Sequence, residues 1–330
     1  MQKKKIIISI VSILFLVAII FWITYGKDAY SNYRAEQAAQ RAAKIEEEKK
    51  QIAIDSVLEA RRAEQEGEQT DPFGDDNIVR VLLVGLDSRA GEEHGHCDAI
   101  QFFEIDKEKE IVSITAVPRG TYSPLPPGKG TTSSDYYVSN SCALGGLEYG
   151  VKNIEKILRN EADYLVVVGF SETLGLLRQA ELPTTETLQW LRNRQGYAIG
   201  EPQRARNHST FLKQMLVRFT PEKFSVIDKS FHYLLYSRLR TDLSFSQVEQ
   251  IVAELVKMDI HNNPDKVQLF MRPSYAVQDI EYDEENIDEH LDKTVGRVSR
   301  LLSPKDYSGE SVKDIQQKLL EEIEASKDDS

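Results

Sequence analysis

His94, His96, Cys97 and Asp98 fall together in "HGHCDAI", directly ahead of an apolar run. Imidazole nitrogens, a thiolate and a carboxylate are the usual zinc donors, so His94, His96, Cys97 and the later His208 could form a zinc site. A thiolate beside an imidazole could instead act as nucleophile and base. A third chemistry is phosphate binding. Gly85, Asp87 and Arg89 follow the apolar run "VLLVGL". Asp87 suits a hard cation, and Arg89 suits a phosphate. Asp98 could meet Asp87 at the same sheet edge, where two carboxylates and phosphate oxygens would hold Mg2+. Arg119 ends another apolar run in "AVPRGTY", and Asn140 lies shortly before the pair Gly145 and Gly146. Arg192, Arg194, Arg204 and Arg206 cluster around Trp190 and Tyr197, in a chain of net charge -12. Guanidinium forks match phosphate oxygens and stay charged at all relevant pH.

These residues need elements to position them. Ile78–Leu86, Ala99–Ile105 and Glu110–Pro118 are apolar runs of strand length, and Tyr164–Phe170 is almost continuously apolar. The last pattern suits a strand covered on both faces. Tyr149–Leu158 has helical spacing, and a helix follows Phe170 with Ser171 as its N-cap. Later helices are expected in "TTETLQWLRNR", "RARNHSTFLKQMLVRF" and "SFSQVEQIVAELVKM", and a strand in Asp265–Pro273. Alternating strands and helices predict an α/β domain over residues 75–300. A helical tail is expected over 301–330.

Residues 6–25 carry no charge and follow three lysines within residues 1–5. A helix of that length spans ~30 Å, the thickness of a bilayer core. The lysines predict a cytoplasmic N-terminus, a single transmembrane helix and an extracytoplasmic main domain in the cell membrane. The alternative is a cleaved signal peptide, whose apolar core is usually shorter. Residues 26–70 are rich in Ala, Glu, Lys, Gln and Arg and predict a helical stalk and linker. Ile45, Ile52, Ile54, Val57 and Leu58 make a thin apolar stripe, which is expected to stay out of a packed core. The acidic net charge argues against nucleic acid as a partner. Two cysteines are too few for a disulfide scaffold.

From about Asn77 to Phe219, and less strongly to Lys257, the chain resembles the LytR-CpsA-Psr family. The resemblance rests on Gly85, Asp87 and Arg89, then His96, Cys97 and Asp98, then Pro118 and Arg119, then Asn140 with Gly145 and Gly146. It continues through Arg192 and Arg194, then Gly200, Glu201 and Arg204, and finally "TDLS" at Thr241–Ser244. It implies a three-layer α-β-α domain with a central mixed sheet. It implies a transferase that moves a glycopolymer from a polyprenyl-pyrophosphate carrier to peptidoglycan, with an acceptor hydroxyl as nucleophile. Asp87 and Asp98 would hold Mg2+. Arg89, Arg119, Arg192, Arg194, Arg204, His96 and His208 would bind the pyrophosphate, and Asp98 and Arg119 would be the catalytic pair.

The sequence departs from the family pattern within that site. His96 stands where the family has arginine, Gly120 where it has aspartate, Asn207 where it has arginine and His208 where it has glutamine. The alternative expectation is therefore a degenerate member that binds pyrophosphate-lipid without transfer, or an envelope scaffold. Arg206 lies one position from Asn207, ~100° away on a helix. Cys97 and Cys142 flank matched motifs in the predicted extracytoplasmic domain, a compartment that permits a disulfide between them.

Overall fold

Alternating apolar residues build a sheet with two buried faces. In a computed structural model, residues 27–65, 71–88, 94–193, 199–223 and 225–285 are described. β1 (Ile78–Asp87), β2 (His96–Asp106), β3 (Ile111–Ala116), β4 (Tyr164–Val168), β5 (Arg240–Thr241) and β6 (Val267–Met271) form one six-stranded sheet in the order β5-β4-β1-β2-β3-β6. β1 runs parallel to β4, and β3 parallel to β6; the other neighbours are antiparallel. The expected transmembrane segment, the tail over 301–330, Arg89 and Arg194 lie outside the described residues. Among the described residues no helix is long and apolar enough to cross a membrane.

The period of two along β1 sends Leu82, Val84 and Leu86 to one face and Val79, Val81 and Leu83 to the other. The first face is covered by α2 (Val138–Gly145) and α3 (Leu147–Leu158), through Val138, Leu147, Val151 and Ile154. The second is covered by α6 (Glu201–Phe219) and α8 (Phe245–Lys257), through Leu212, Leu216, Ile251 and Leu255. The result is three layers. All five residues of β4 are buried, as its unbroken apolar run requires.

α1 (Lys27–Gln65) crosses a boundary between two units at Ile52 and Ala53. From Ala53 onward it shares a unit with the sheet. Leu58 is only 3% exposed, and Ile54 and Val57 pack on the same cluster. This corrects the expectation for Ile54, Val57 and Leu58, while Ile45 and Ile52 stay exposed, out of any core. Arg61 Nε donates to Asp242 Oδ2 at 2.7 Å and its Nη2 to the Ala162 carbonyl at 2.8 Å. Asp242 Oδ1 accepts the Leu165 N–H at 2.7 Å. One buried carboxylate thus ties the end of α1 to β4.

Some boundaries differ from the sequence reading. α4 (Phe170–Gln179) is capped by Gly169, not Ser171; the Gly169 carbonyl accepts the Thr173 N–H at 3.0 Å, so Phe170 already lies in the first turn. α5 (Thr184–Arg192) matches expectation. α6 begins at Glu201, ahead of the expected Arg204, with Pro202 in its first turn, where a missing N–H is tolerated. α2 and α7 (Val226–Tyr236) were not anticipated.

Candidate functional site

β1 and β2 pair in register until Gly85 meets Ala99 and Leu86 meets Cys97. Asp98 is the extra residue of a β-bulge, which re-aims side chains locally. Cys97 consequently joins the buried cluster beneath α2 and α3, while Asp98 lines a cleft on the opposite face. Gly85 sits at the same point. A Cβ there would fall 2.8 Å from the Ala99 Cβ, so only glycine fits without a shift.

Asp98 is the centre of a closed ring of contacts. Arg119 Nη1 donates to Asp98 Oδ1 and Oδ2, each at 2.7 Å. Arg204 Nη2 donates to the Asp98 carbonyl at 3.1 Å and to Glu201 Oε1 at 2.8 Å. Glu201 Oε2 lies 3.7 Å from Arg119 Nε, which completes the ring. Burial works against the Arg119 charge, but Asp98, Glu201 and Asp87 outweigh it and raise its pKa further. Burial also pushes the Glu201 carboxyl up, against the pull of Arg204 and Arg119.

The ring stands at one end of a cleft of about 440 Å³. Along β1 the lining changes from Asp87 through Gly85 to Leu83. Along α6 it changes from Arg204 through His208 to Phe211 and Leu212. Leu176 and Leu177 of α4 and Leu188 and Leu191 of α5 complete an apolar interior. The charged end lies at the carboxyl ends of β1 and β4, where open α/β sheets bind ligands. Arg192 is exposed at this cleft, its Cζ 5.8 Å from the ring centroid of Phe170. The arrangement can neutralise a compact polyanion at one end and shelter an apolar chain at the other.

The structure thus brings Asp87, Asp98, Arg119, Arg192, Arg204 and His208 to one cleft. His208 serves the fold there. Its Nε2 lies 2.7 Å from the Leu191 carbonyl, which can only accept, so the proton sits on Nε2 and ties α6 to α5. Burial, with Arg204 nearby, lowers its pKa to about 4 and keeps it neutral. This corrects the expectation that His208 offers its N–H to an anion. Asn207 is fully buried and accepts from Gln203 Nε2 at 2.8 Å. Arg206 pairs with Asp279, Nε to Oδ1 at 2.5 Å, and does not stand in for Asn207. His96 lies outside the cleft lining, with Nδ1 2.9 Å from Asn140 Oδ1.

Cys97 and Cys142 are disulfide-bonded, with Cα atoms 5.8 Å apart. No thiolate therefore remains for zinc or for nucleophilic attack. Among the described residues no group of three or more His, Cys, Asp or Glu is placed to hold a metal. Mg2+ asks for less, because one or two carboxylates suffice when substrate phosphates and water supply the remaining oxygens. Asp87 and Asp98, on paired strands at the same cleft, fit that demand. Glu201 was matched to the family pattern beside Arg204 but given no role in the site; the visible signal was an acid three positions before that arginine.

Fold and site together define an α/β domain with a charged end on an apolar cleft. Residues 29–173 match the model of the LytR_cpsA_psr family, the same family that the sequence motifs resemble. Among solved structures, the chain is similar to TagV of B. subtilis at 16% identity, covering 66% of this chain and 99% of that one with a TM-score of 0.49. It is similar to a transcriptional regulator from Enterococcus faecalis at 15% identity, covering 76% and 95% with a TM-score of 0.49. A structure of TagT bound to LIIa-WTA is similar at 15% identity, covering 67% and 90% with a TM-score of 0.46. No curated protein matched the chain.

Proposed function

We propose that the protein is a membrane-anchored, extracytoplasmic transferase of the cell envelope. It moves a glycopolymer from a polyprenyl-pyrophosphate carrier to peptidoglycan. The observation that carries this reading is the cleft itself, with Asp87, Asp98, Arg119 and Arg204 at one end and leucines from β1, α4, α5 and α6 beyond them. The charged end suits a pyrophosphate, and the apolar interior suits part of a polyprenyl tail. Residues 6–25 would anchor the chain.

In this reading an acceptor sugar hydroxyl attacks the phosphorus that bears the glycopolymer. A new phosphodiester bond forms, the bridging P–O bond breaks, and polyprenyl phosphate leaves. Arg119 and Arg204 neutralise charge on the phosphates, with Arg192 and, outside the described residues, Arg89 and Arg194 in support. Asp87 and Asp98 would hold Mg2+, which when bound supplies further neutralisation of the pyrophosphate. Asp98 keeps acceptor capacity for this, because a single donor nitrogen serves both of its oxygens.

A second reading is binding of pyrophosphate-lipid without transfer. It is favoured by the neutral His208, the buried Asn207 and the turning of Arg206 towards Asp279. The two readings separate in one experiment. Polyprenyl-pyrophosphate glycopolymer and peptidoglycan are supplied with Mg2+ to the wild type, Asp98→Ala and Arg119→Ala. The first reading expects turnover in the wild type and a large loss in both variants. Binding with no turnover supports the second, and neither binding nor turnover overturns both.

A further inference from the structure

We propose that Glu201 is a positioning residue that sets Arg119 and Arg204 as one rigid anion receptor. The two arginines come from separate parts of the chain, the turn after β3 and the first turn of α6. Both face one cleft, so their charges repel wherever no anion lies between them. Glu201 is that anion. It is 7% exposed, and the side chains of Arg204 and Arg119 are 9% and 23% exposed. Oε1 accepts Arg204 Nε at 3.2 Å and Nη2 at 2.8 Å. Oε2 makes no hydrogen bond and lies 3.7 Å from Arg119 Nε.

The two oxygens therefore do different work. Oε1 holds the Arg204 guanidinium through two charge-assisted N–H donors that converge on one oxygen. Oε2 sets the approach of Arg119 by charge. The same two guanidiniums then close on Asp98 from both sides, Arg119 on its carboxylate and Arg204 on its carbonyl. These contacts use Nε and Nη2 of Arg204 and Nε and Nη1 of Arg119. One terminal nitrogen of each arginine, Nη1 of Arg204 and Nη2 of Arg119, stands outside the ring. Glu201 thus sets how far apart two phosphate-facing donors stand. It does not line the cleft, and its effect passes wholly through the arginines. This inference rests on the reading of the cleft as a pyrophosphate site.

The test compares Glu201→Gln, which keeps shape and removes charge, with Glu201→Asp, which keeps charge on a shorter arm. Three quantities are measured: solvent exchange of the Arg204 Nε–H by 15N NMR, calorimetric affinity for inorganic pyrophosphate with Mg2+, and kcat and KM for transfer. In the wild type the Nε–H is protected. In Glu201→Gln protection is lost, pyrophosphate binds as well as before or more tightly because a nearby negative charge is gone, and kcat falls roughly 10- to 100-fold, the scale of an ~1 Å misplacement. Glu201→Asp recovers protection and part of kcat. Unchanged protection and kcat in Glu201→Gln would overturn the proposal. So would a kcat loss matched by an equal loss of pyrophosphate affinity, which marks general damage. If the wild type neither binds pyrophosphate nor transfers, the functional reading fails; the exchange result alone then decides whether Glu201 holds the arginines.

Discussion

Arg204 Nη2 reaches across from α6 to the main-chain carbonyl of Asp98 at 3.1 Å. A bulged strand exposes main-chain groups that the regular ladder no longer pairs. Here a side chain from another element takes one of them, and the same side chain lines the cleft. The position of Asp98 is therefore set by contacts from α6 and from the turn after β3, as well as by β1.

The pairing of Gly85 with Ala99 leads to a volume prediction. Gly85→Ala places a methyl 2.8 Å from the Ala99 Cβ, a backbone-borne atom that cannot rotate away. The substitution should cost roughly 1–3 kcal/mol, the usual scale of overpacking. Gly85→Ala combined with Ala99→Gly should recover most of it. Urea unfolding of the two single variants and the double variant measures the coupling, and additive losses would count against a direct clash.

Half-buried, neutral His208 gives a pH prediction. Its folded pKa is about 4 against an ordinary value of 6.5. Below pH 6.5 the unfolded chain takes up a proton that the folded chain refuses. Stability contributed by the neutral ring is full above 6.5 and falls as pH drops towards 4, by about 3 kcal/mol at full extent. His208→Gln, which cannot titrate, should flatten that part of the stability profile. An unchanged slope between pH 6.5 and 4 would assign it to other groups.

The disulfide joins cysteines 45 positions apart. By the chain-entropy relation its loss should cost about 4 kcal/mol. Cys142→Ser should lower the urea midpoint accordingly, with the slope of the transition reporting any change in the unfolded state. Both sulfurs are buried, so reduction of the folded protein should track unfolding events. Reduction by a mild thiol as fast as that of an exposed disulfide would contradict this.

Two ion pairs on α1 should behave differently. The Asp242 side chain is fully buried against Arg61. Removal of the arginine leaves an uncompensated carboxylate, and Arg61→Ala should cost roughly 3–5 kcal/mol. Arg240 pairs with the exposed Asp55 at 2.6 Å, and Asp55→Ala should cost less than about 1 kcal/mol. Equal losses would mean that burial is not what separates them.

Much of this architecture was legible from apolar spacing. Val84 and Val167 announce strands because a sheet buried on both faces admits few polar residues. Asp98, Arg119 and Arg204 were legible as charges placed beside strand and helix ends. The partners were not. Arg204 and Arg206 are two positions apart, ~200° on a helix, and only the phase of α6 tells which faces the cleft. Asp279, which draws Arg206 away, lies 73 positions along the chain. β5 has two residues, too few to show a period. The bulge did leave a trace. Cys97 is buried with Ile100 and Phe102, on the wrong parity for an unbroken strand.

That trace has a practical consequence. In a saturation mutagenesis screen, adjacent codons 97 and 98 should report on unrelated phenotypes. Variants at 97 should group with those at 142, as losses of abundance. Variants at 98 should group with those at 119 and 204, as losses of activity at normal abundance. One inserted residue divides a dipeptide between two genetic classes.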